Sequence, residues 1–205
     1  DDEAVRVAVA LRLGMDLCGP HQCALCGNQV DAWGTHAFVW KFAPGKTTRH
    51  HLLNDVIARA FGAAGVPIKK EPSGLLANDS RRPDDLTLIP WRAGKPLAWD
   101  VTVTATLADS YIRASTNAAG AAAEMAAGRK INKYSDLPAS VIFQPMAFET
   151  LGPINLSAVE CIVDLGRRLS ANLGEVRETF FLFQRLSVLI QRFNAISLHD
   201  TFTSH

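Results

Sequence analysis

The chain lacks a charge excess of either sign. Its 205 residues hold 21 Lys and Arg against 20 Asp and Glu, for a formal net charge of +1. Such a balance offers no global pull toward nucleic acid or a membrane surface, so any polyanion binding must rest on a local cluster. Long hydrophobic runs are also missing: none reaches the ~18 residues of a membrane span, and no membrane partner is expected. The opening residues, DDEAVRVAVALRLGM, are acidic where a secretory signal would be basic, which predicts no signal peptide. The chain starts on Asp1 rather than Met, and a longer parent polypeptide is expected. No repeat is present, and the alanine-rich STNAAGAAAEMAAGRK is the one biased stretch. Cysteine is scarce as well. Three of the four, Cys18, Cys23 and Cys26, cluster with His21 and His36, while Cys161 stands alone. That grouping speaks for a metal site in a reducing compartment rather than a disulfide framework.

What is present is ample apolar material, 48% of the residues, enough for one domain to bury a core without staples. Residues 4–13, AVRVAVALRL, suit a strand or a helical turn. Residues 16–48, rich in Cys, His, Gly and Asn, read as a metal-knuckle or loop module. In RHHLLNDVIARAFGAAG, Leu53, Val56, Ile57, Ala60 and Phe61 follow helical spacing, and Gly65 ends the helix. VPIKKEPSG, DDLTLIP and PLAWDVTVTATL predict three strands, the last two joined by a turn at RAGK. STNAAGAAAEMAAGRKINKY predicts a helix closed by Pro138, and ASVIFQPMAF a fourth strand. Two amphipathic helices follow. The first is capped by Asn155 or Ser157 and stopped by Gly174. Three strands in a meander and a fourth returning parallel by a right-handed crossover give an α/β domain, a small mixed sheet flanked by helices. The expected division is an N-terminal Cys/His segment (1–48), a core (49–152) and a C-terminal helical extension (153–205).

Asp100 interrupts an apolar strand, Ala98-Trp99-Asp100-Val101, where a lone carboxylate is costly. Asp84 opens the preceding strand. Sixteen positions separate the two, which suits neighbours across a hairpin closed at Arg92–Lys95. Adjacent carboxylates repel, and a hard divalent ion such as Mg²⁺ or Mn²⁺ satisfies them while leaving room for a phosphate oxygen. Phosphodiester cleavage also wants a cation near the transition state. Lys130, and after it Lys133, are the candidates, with Glu71 a further ligand or a turn residue. Asp85 reads as a bystander.

The Pro83-Asp84 pair followed by Asp100-Val101-Thr102 in a strand resembles the PD-(D/E)xK pattern of restriction-enzyme-like nucleases. Thr102 stands where that pattern has lysine, and in related nucleases the lysine comes from the following helix. The longer strings GNQVDAWGTHAFVWKFAPGKTTRHHLLNDVIARAFGAAGVPIKKEPSGL, RRPDDLTLIPWRAGKPLAWDVTVT, AAGAAAEMAAGRKINKY and MAFETLGP resemble the C-terminal region of non-LTR retrotransposon reverse-transcriptase polyproteins, from about Leu13 to Ser197. The resemblance implies a restriction-endonuclease-like core behind a Cys/His knuckle, nicking DNA for target-primed reverse transcription. It also implies a reverse-transcriptase domain in the same parent chain and a nuclear location in a eukaryotic host.

Cys23-Ala-Leu-Cys26 has the spacer of a zinc knuckle, with His36 in reach. The resemblance places a last cysteine near position 40, where this chain has Trp40; the alternatives are that Cys18 or His21 completes the tetrahedron or that the site is degenerate. Arg49 and His50 at the start of the first helix, with Arg81, Arg82 and Arg92 on loops, are candidate DNA phosphate contacts; Asn54 shares a helix face with His50. Other readings compete. Histidines are more often ordinary surface residues, the loop arginines are as readily solubilising charges, lysines at a helix end suit its dipole, and a buried aspartate is often a structural acceptor. A catalytically inactive nucleic-acid-binding module and a zinc-stabilised interaction domain are the alternatives to the nuclease.

Overall fold

A computed structural model describes residues 2–76 and 81–203. The chain begins with helix α1 (Asp2–Leu13), followed by the two-residue strands β1 (His21–Gln22) and β2 (Gln29–Val30), which pair antiparallel, and the short helix α2 (Thr35–Val39). The run at 4–13, which suited a strand or a turn, is thus a full helix. Its Ala4, Val7 and Ala10 are buried against Leu17, Phe38, Ala195 and Leu198. Spacing of three along the helix puts those small residues on one face.

Helix α3 (Gly45–Ala63) leads into the main sheet, made of β3 (Ile68–Lys70), β4 (Asp85–Thr87), β5 (Leu97–Thr104) and, after α4 (Asp109–Ser115) and α5 (Ala121–Lys133), β6 (Ile142–Glu149). The strand order is β3-β4-β5-β6. The first three strands are antiparallel, and β6 returns parallel to β5 over eight residue pairs, Leu97↔Ile142 to Thr104↔Glu149. The α/β expectation holds: a small mixed sheet is flanked by helices, with the Cys/His group near the start of the chain and two helices, α6 (Leu156–Leu173) and α7 (Glu178–His199), at its end. The alanine-rich segment forms one helix, as expected, but only from Ala121 on: α4 ends at Ser115, and Gly120, at φ 88°, stands at the N-cap of α5. Ala93 and Gly94 both adopt positive φ, at 50° and 73°, closing the β4–β5 hairpin tip.

Trp99 on β5 is fully buried and stacks on Phe61 of α3, with ring centroids 4.5 Å apart. Around it one cluster gathers Leu53 and Ile57 of α3, Met146 and Phe148 of β6, Ile162 and Leu165 of α6, and Leu182 and Leu186 of α7. The last two helices therefore supply part of the central core. Gly166 lets α7 lie tight against α6: a Cβ there would lie 2.6 Å from Thr179 Cα. Asn155 stands at the α6 N-cap position but makes no side-chain cap hydrogen bond. Its Oδ1 accepts from the Ala147 N–H of β6 at 2.9 Å instead. Gly174 stops α6 in the left-handed conformation, φ 75°. No described helix is long and apolar enough to cross a membrane.

Candidate active site

Strand β5 has eight residues and β4 only three, so their pairing stops at Asp85↔Trp99. One step further, Asp84 lies opposite Asp100. Its N–H donates to the Trp99 carbonyl at 2.9 Å. The next ladder donor on β5, the Val101 N–H, has no strand beside it and is met by Asp84 Oδ2 at 2.6 Å. Asp84 therefore completes the ladder with its side chain, while Oδ1 faces His50 Nε2 of α3 at 3.2 Å. The hydrogen bond to Asp84 raises the His50 pKa above its ordinary value, against burial, and the charges of Asp84 and Asp100 add to the rise.

The pleat of β5 sends Trp99 and Asp100 to opposite faces. Asp100 is buried, 3% exposed. It points toward α5, where Lys130 makes an ion pair with Oδ1, the Tyr134 hydroxyl contacts Oδ2, and Lys133 Nζ lies 3.7 Å from Oδ2. The Tyr134 hydroxyl also meets the Arg82 carbonyl at 2.6 Å and accepts from Lys133 Nζ at 2.9 Å. Burial first, and then the bond to Asp100, push the Tyr134 pKa well up, so its proton stays in place at neutral pH. Thr102 shares the Asp100 face of β5 and offers no cation; α5 supplies two.

On the opposite face, Asp85 is fully buried. Asn54 Nδ2 donates to its Oδ2 at 2.5 Å, and Asn54 Oδ1 accepts from Trp99 Nε1 at 2.8 Å. Asp85 Oδ1 has no partner. Burial pushes this carboxyl up to about 7, with the Asn54 bond working against the rise and the Asp84 charge adding to it. Glu71 is exposed, with φ at +43°. Its N–H donates to the Asp84 carbonyl at 2.7 Å, and its side chain lines a pocket of about 170 Å³ with His50, Lys70 and Asp84.

The DNA-contact candidates separate. Arg81 and Arg82 flank Asp84 and are exposed, Arg81 lying 3.9 Å from Asp136. Arg92 sits at the opposite, tip end of the hairpin, paired with Asp164 of α6 at 2.5 Å. The turn that joins the two strands keeps it far from their acidic ends, so Arg92 is not part of this site. Arg49 is buried, 4% exposed, where Arg81 and Arg82 face solvent.

Among the described residues, one set of three His, Cys, Asp or Glu donors lies within 4.8 Å of one another: Cys23, Cys26 and His36. Cys26 Sγ is 3.2 Å from His36 Nε2. Gly27, at φ 73°, turns the loop so that its N–H returns to the Cys23 carbonyl at 2.8 Å. Two sulfurs and an imidazole suit zinc. Neither expected fourth ligand joins them. Cys18 Sγ faces the Asp31 carbonyl at 3.4 Å, and burial raises its thiol pKa. The His21 ring is held at both nitrogens, by the Gly19 carbonyl and Thr201 Oγ1, each at 2.9 Å, and it stacks on Phe202 at 4.2 Å. Trp40, where the resemblance places a cysteine, stacks on His36 with centroids 5.5 Å apart.

Sequence reasoning missed Tyr134. A signal was available: Tyr134 follows Lys130 by four, so both stand on the α5 face that meets Asp100. No protein-family model and no curated protein sequence matches the chain.

Proposed function

We propose that the chain is a metal-dependent endonuclease domain that hydrolyses phosphodiester bonds in DNA. The observation that carries this reading is the side-by-side placement of Asp84 and Asp100, each engaged by a basic side chain from a different helix, His50 on one and Lys130 on the other. Two hard carboxylates that demand counter-charge are a donor set for Mg²⁺ or Mn²⁺. Bound there, such an ion supplies a more acidic water and shields charge growing on the phosphate. The chain's own groups do the rest. Tyr134 holds the Asp100 carboxylate, the Val101 N–H and His50 hold Asp84, and Lys130 is the cation for the attacked phosphate. The Cys23, Cys26 and His36 set would take a structural zinc. The origin in a non-LTR retrotransposon polyprotein, with a reverse-transcriptase domain in the parent chain, belongs to the same proposal and is supported by the sequence resemblance.

The direct test is nicking of supercoiled plasmid with Mg²⁺ or Mn²⁺, expected for the wild type and lost in both Asp84→Asn and Asp100→Asn. Wild-type cutting by both variants would remove the assignment. One observation favours an inactive nucleic-acid-binding module instead: Asp100 is already engaged by Lys130 and Tyr134, and its side chain is only 4% exposed. Calorimetric titration with Mg²⁺ and Mn²⁺ separates the two, since the inactive module requires no such binding.

A further inference from the structure

Between Asp31 and Asp55 the sequence holds no carboxylate, yet it contains Lys41, Lys46 and Arg49. The fold gathers these three at the entry to α3. That helix has 19 residues, no side-chain cap at its N-terminus and no acidic residue in its first turn. The positive end of its dipole repels cations and attracts anions. Here the first turns carry Lys46 and Arg49, three apart and therefore neighbours on the helix surface. Lys46 Nζ reaches back to the Val39 carbonyl at the end of α2, 3.3 Å away.

Arg49 is the telling residue. It is only 4% exposed, its Nε has no hydrogen-bond partner, and among the described residues no carboxylate pairs with it, with Lys46 or with Lys41. Burial lowers the Arg49 pKa to about 10. Lys46 falls to about 8, by burial first and then by the charges of Arg49 and Lys41, so the three cations share one small region. A buried charge without a counter-charge weighs against the fold. Within the described chain nothing neutralises it, and an incoming anion would. Thr47 and Thr48, both exposed, add two hydroxyls to the same turn.

We propose that the N-terminal turn of α3, with Lys41, Lys46 and Arg49, is an anion site that takes a backbone phosphate of nucleic acid. The choice of a nucleic-acid phosphate over a free one rests on the proposed function; the anion site itself does not. Two aromatic residues argue for the same ligand. Phe42, beside Lys41, is 80% exposed, and Trp40 lies edge-on to it at 6.5 Å. Phe42, an exposed ring beside a cation and backed by the half-buried Trp40, is the kind of surface on which unpaired bases stack. Arg49 also precedes His50, the residue that contacts Asp84. A strand fixed at this turn is therefore tethered by the helix that supports the acidic pair.

The test uses the full chain and two variants, Arg49→Met and Lys46→Gln. Melting is followed in inorganic phosphate and in chloride at matched ionic strength. Binding of a fluorescent DNA, a duplex with a single-stranded end, is followed without added Mg²⁺ or Mn²⁺. Phosphate is expected to raise the wild-type Tm and to leave that of Arg49→Met unmoved. In chloride, Arg49→Met should melt about 2–4 °C above the wild type, because the unpaired buried charge is gone. DNA affinity should fall about tenfold in Arg49→Met. In Lys46→Gln, whose side chain is partly exposed, the slope of log affinity against log salt should fall by about 1. A lower Tm in Arg49→Met with its phosphate response intact would make the arginine structural and overturn the site. So would a wild type and a Lys46→Gln that both ignore phosphate. Loss of the phosphate response with DNA affinity unchanged would overturn the nucleic-acid ligand. Omitting Mg²⁺ and Mn²⁺ keeps these outcomes apart from cleavage, whose failure is read from Asp84→Asn and Asp100→Asn in the nicking assay.

Discussion

Asp85 sets up a measurable pH dependence. The folded carboxyl is pushed from an ordinary 3.8 to about 7 by burial, while the unfolded chain keeps a value near 3.9. Below about pH 4 both states are protonated and the residue is neutral to folding. As pH rises from about 4 to 7 the unfolded chain releases its proton and the folded chain does not, so stability falls across that window. Above about 7 the loss is complete and constant. At 1.36 kcal/mol per pKa unit the full effect is about 4 kcal/mol at most, and about 2–3 kcal/mol of it develops between pH 5 and pH 8. Asp85→Asn removes the titration, keeps an oxygen for Asn54 and places an amide where Oδ1 is now unpartnered. That amide adds an offset that is the same at every pH. The quantity to measure is therefore the difference in stability between variant and wild type, by thermal melts and urea titrations at several pH values. From pH 5 to pH 8 that difference should move in favour of the Asp85→Asn variant, by about 5–10 °C in Tm for a chain of this size. A difference that stays flat across that range would show that Asp85 is ionised in the fold, and the reasoning from burial would fail. Nicking should survive the substitution, because Asp85 faces away from Asp100.

Asp84→Ala should abolish nicking and also strip the Val101 N–H of its acceptor, costing about 1–3 kcal/mol more stability than Asp84→Asn by urea titration. Lys130→Ala leaves Asp100 buried with its main counter-charge gone. It should cost about 3 kcal/mol and reduce nicking at least tenfold more than Lys133→Ala, whose side chain is 40% exposed. Elemental analysis should find about one zinc per chain, lost in Cys26→Ala; chelation should expose amides near Cys23–His36 to hydrogen exchange and leave β5 protected. Gly166→Ala drives a methyl into Thr179 Cα and should lower stability by about 1–3 kcal/mol, or more if α6 and α7 cannot part.

The element order was legible because Leu53, Ile57 and Phe61 repeat at helical spacing and because Gly65 and Gly174 stop helices that would otherwise run on. α1 was ambiguous for a physical reason. Its valines favour strands locally, and its helicity is secured by packing of small residues against α7, which is distant in sequence. The adjacency of Asp84 and Asp100 could be counted across one hairpin. The partners of those carboxylates could not. His50, Lys130 and Tyr134 arrive from two helices on different sides of the sheet, and only the fold sets their approach. The same limit explains Arg92, which looks like a free loop cation in sequence and is engaged by Asp164 of α6. It explains Cys18 and His21 too: their spacing permits ligation, but backbone carbonyls and Thr201 hold them elsewhere.

The shortness of β4 bears on how this protein can change over time. Because Asp84 stands in for a missing strand at the Val101 N–H, it is tied to folding as well as to any chemistry. A descendant that had stopped cutting would still be penalised for losing it. Retention of that aspartate is thus a poor record of activity, whereas His50, which completes no backbone ladder, would be free to drift once cleavage no longer mattered.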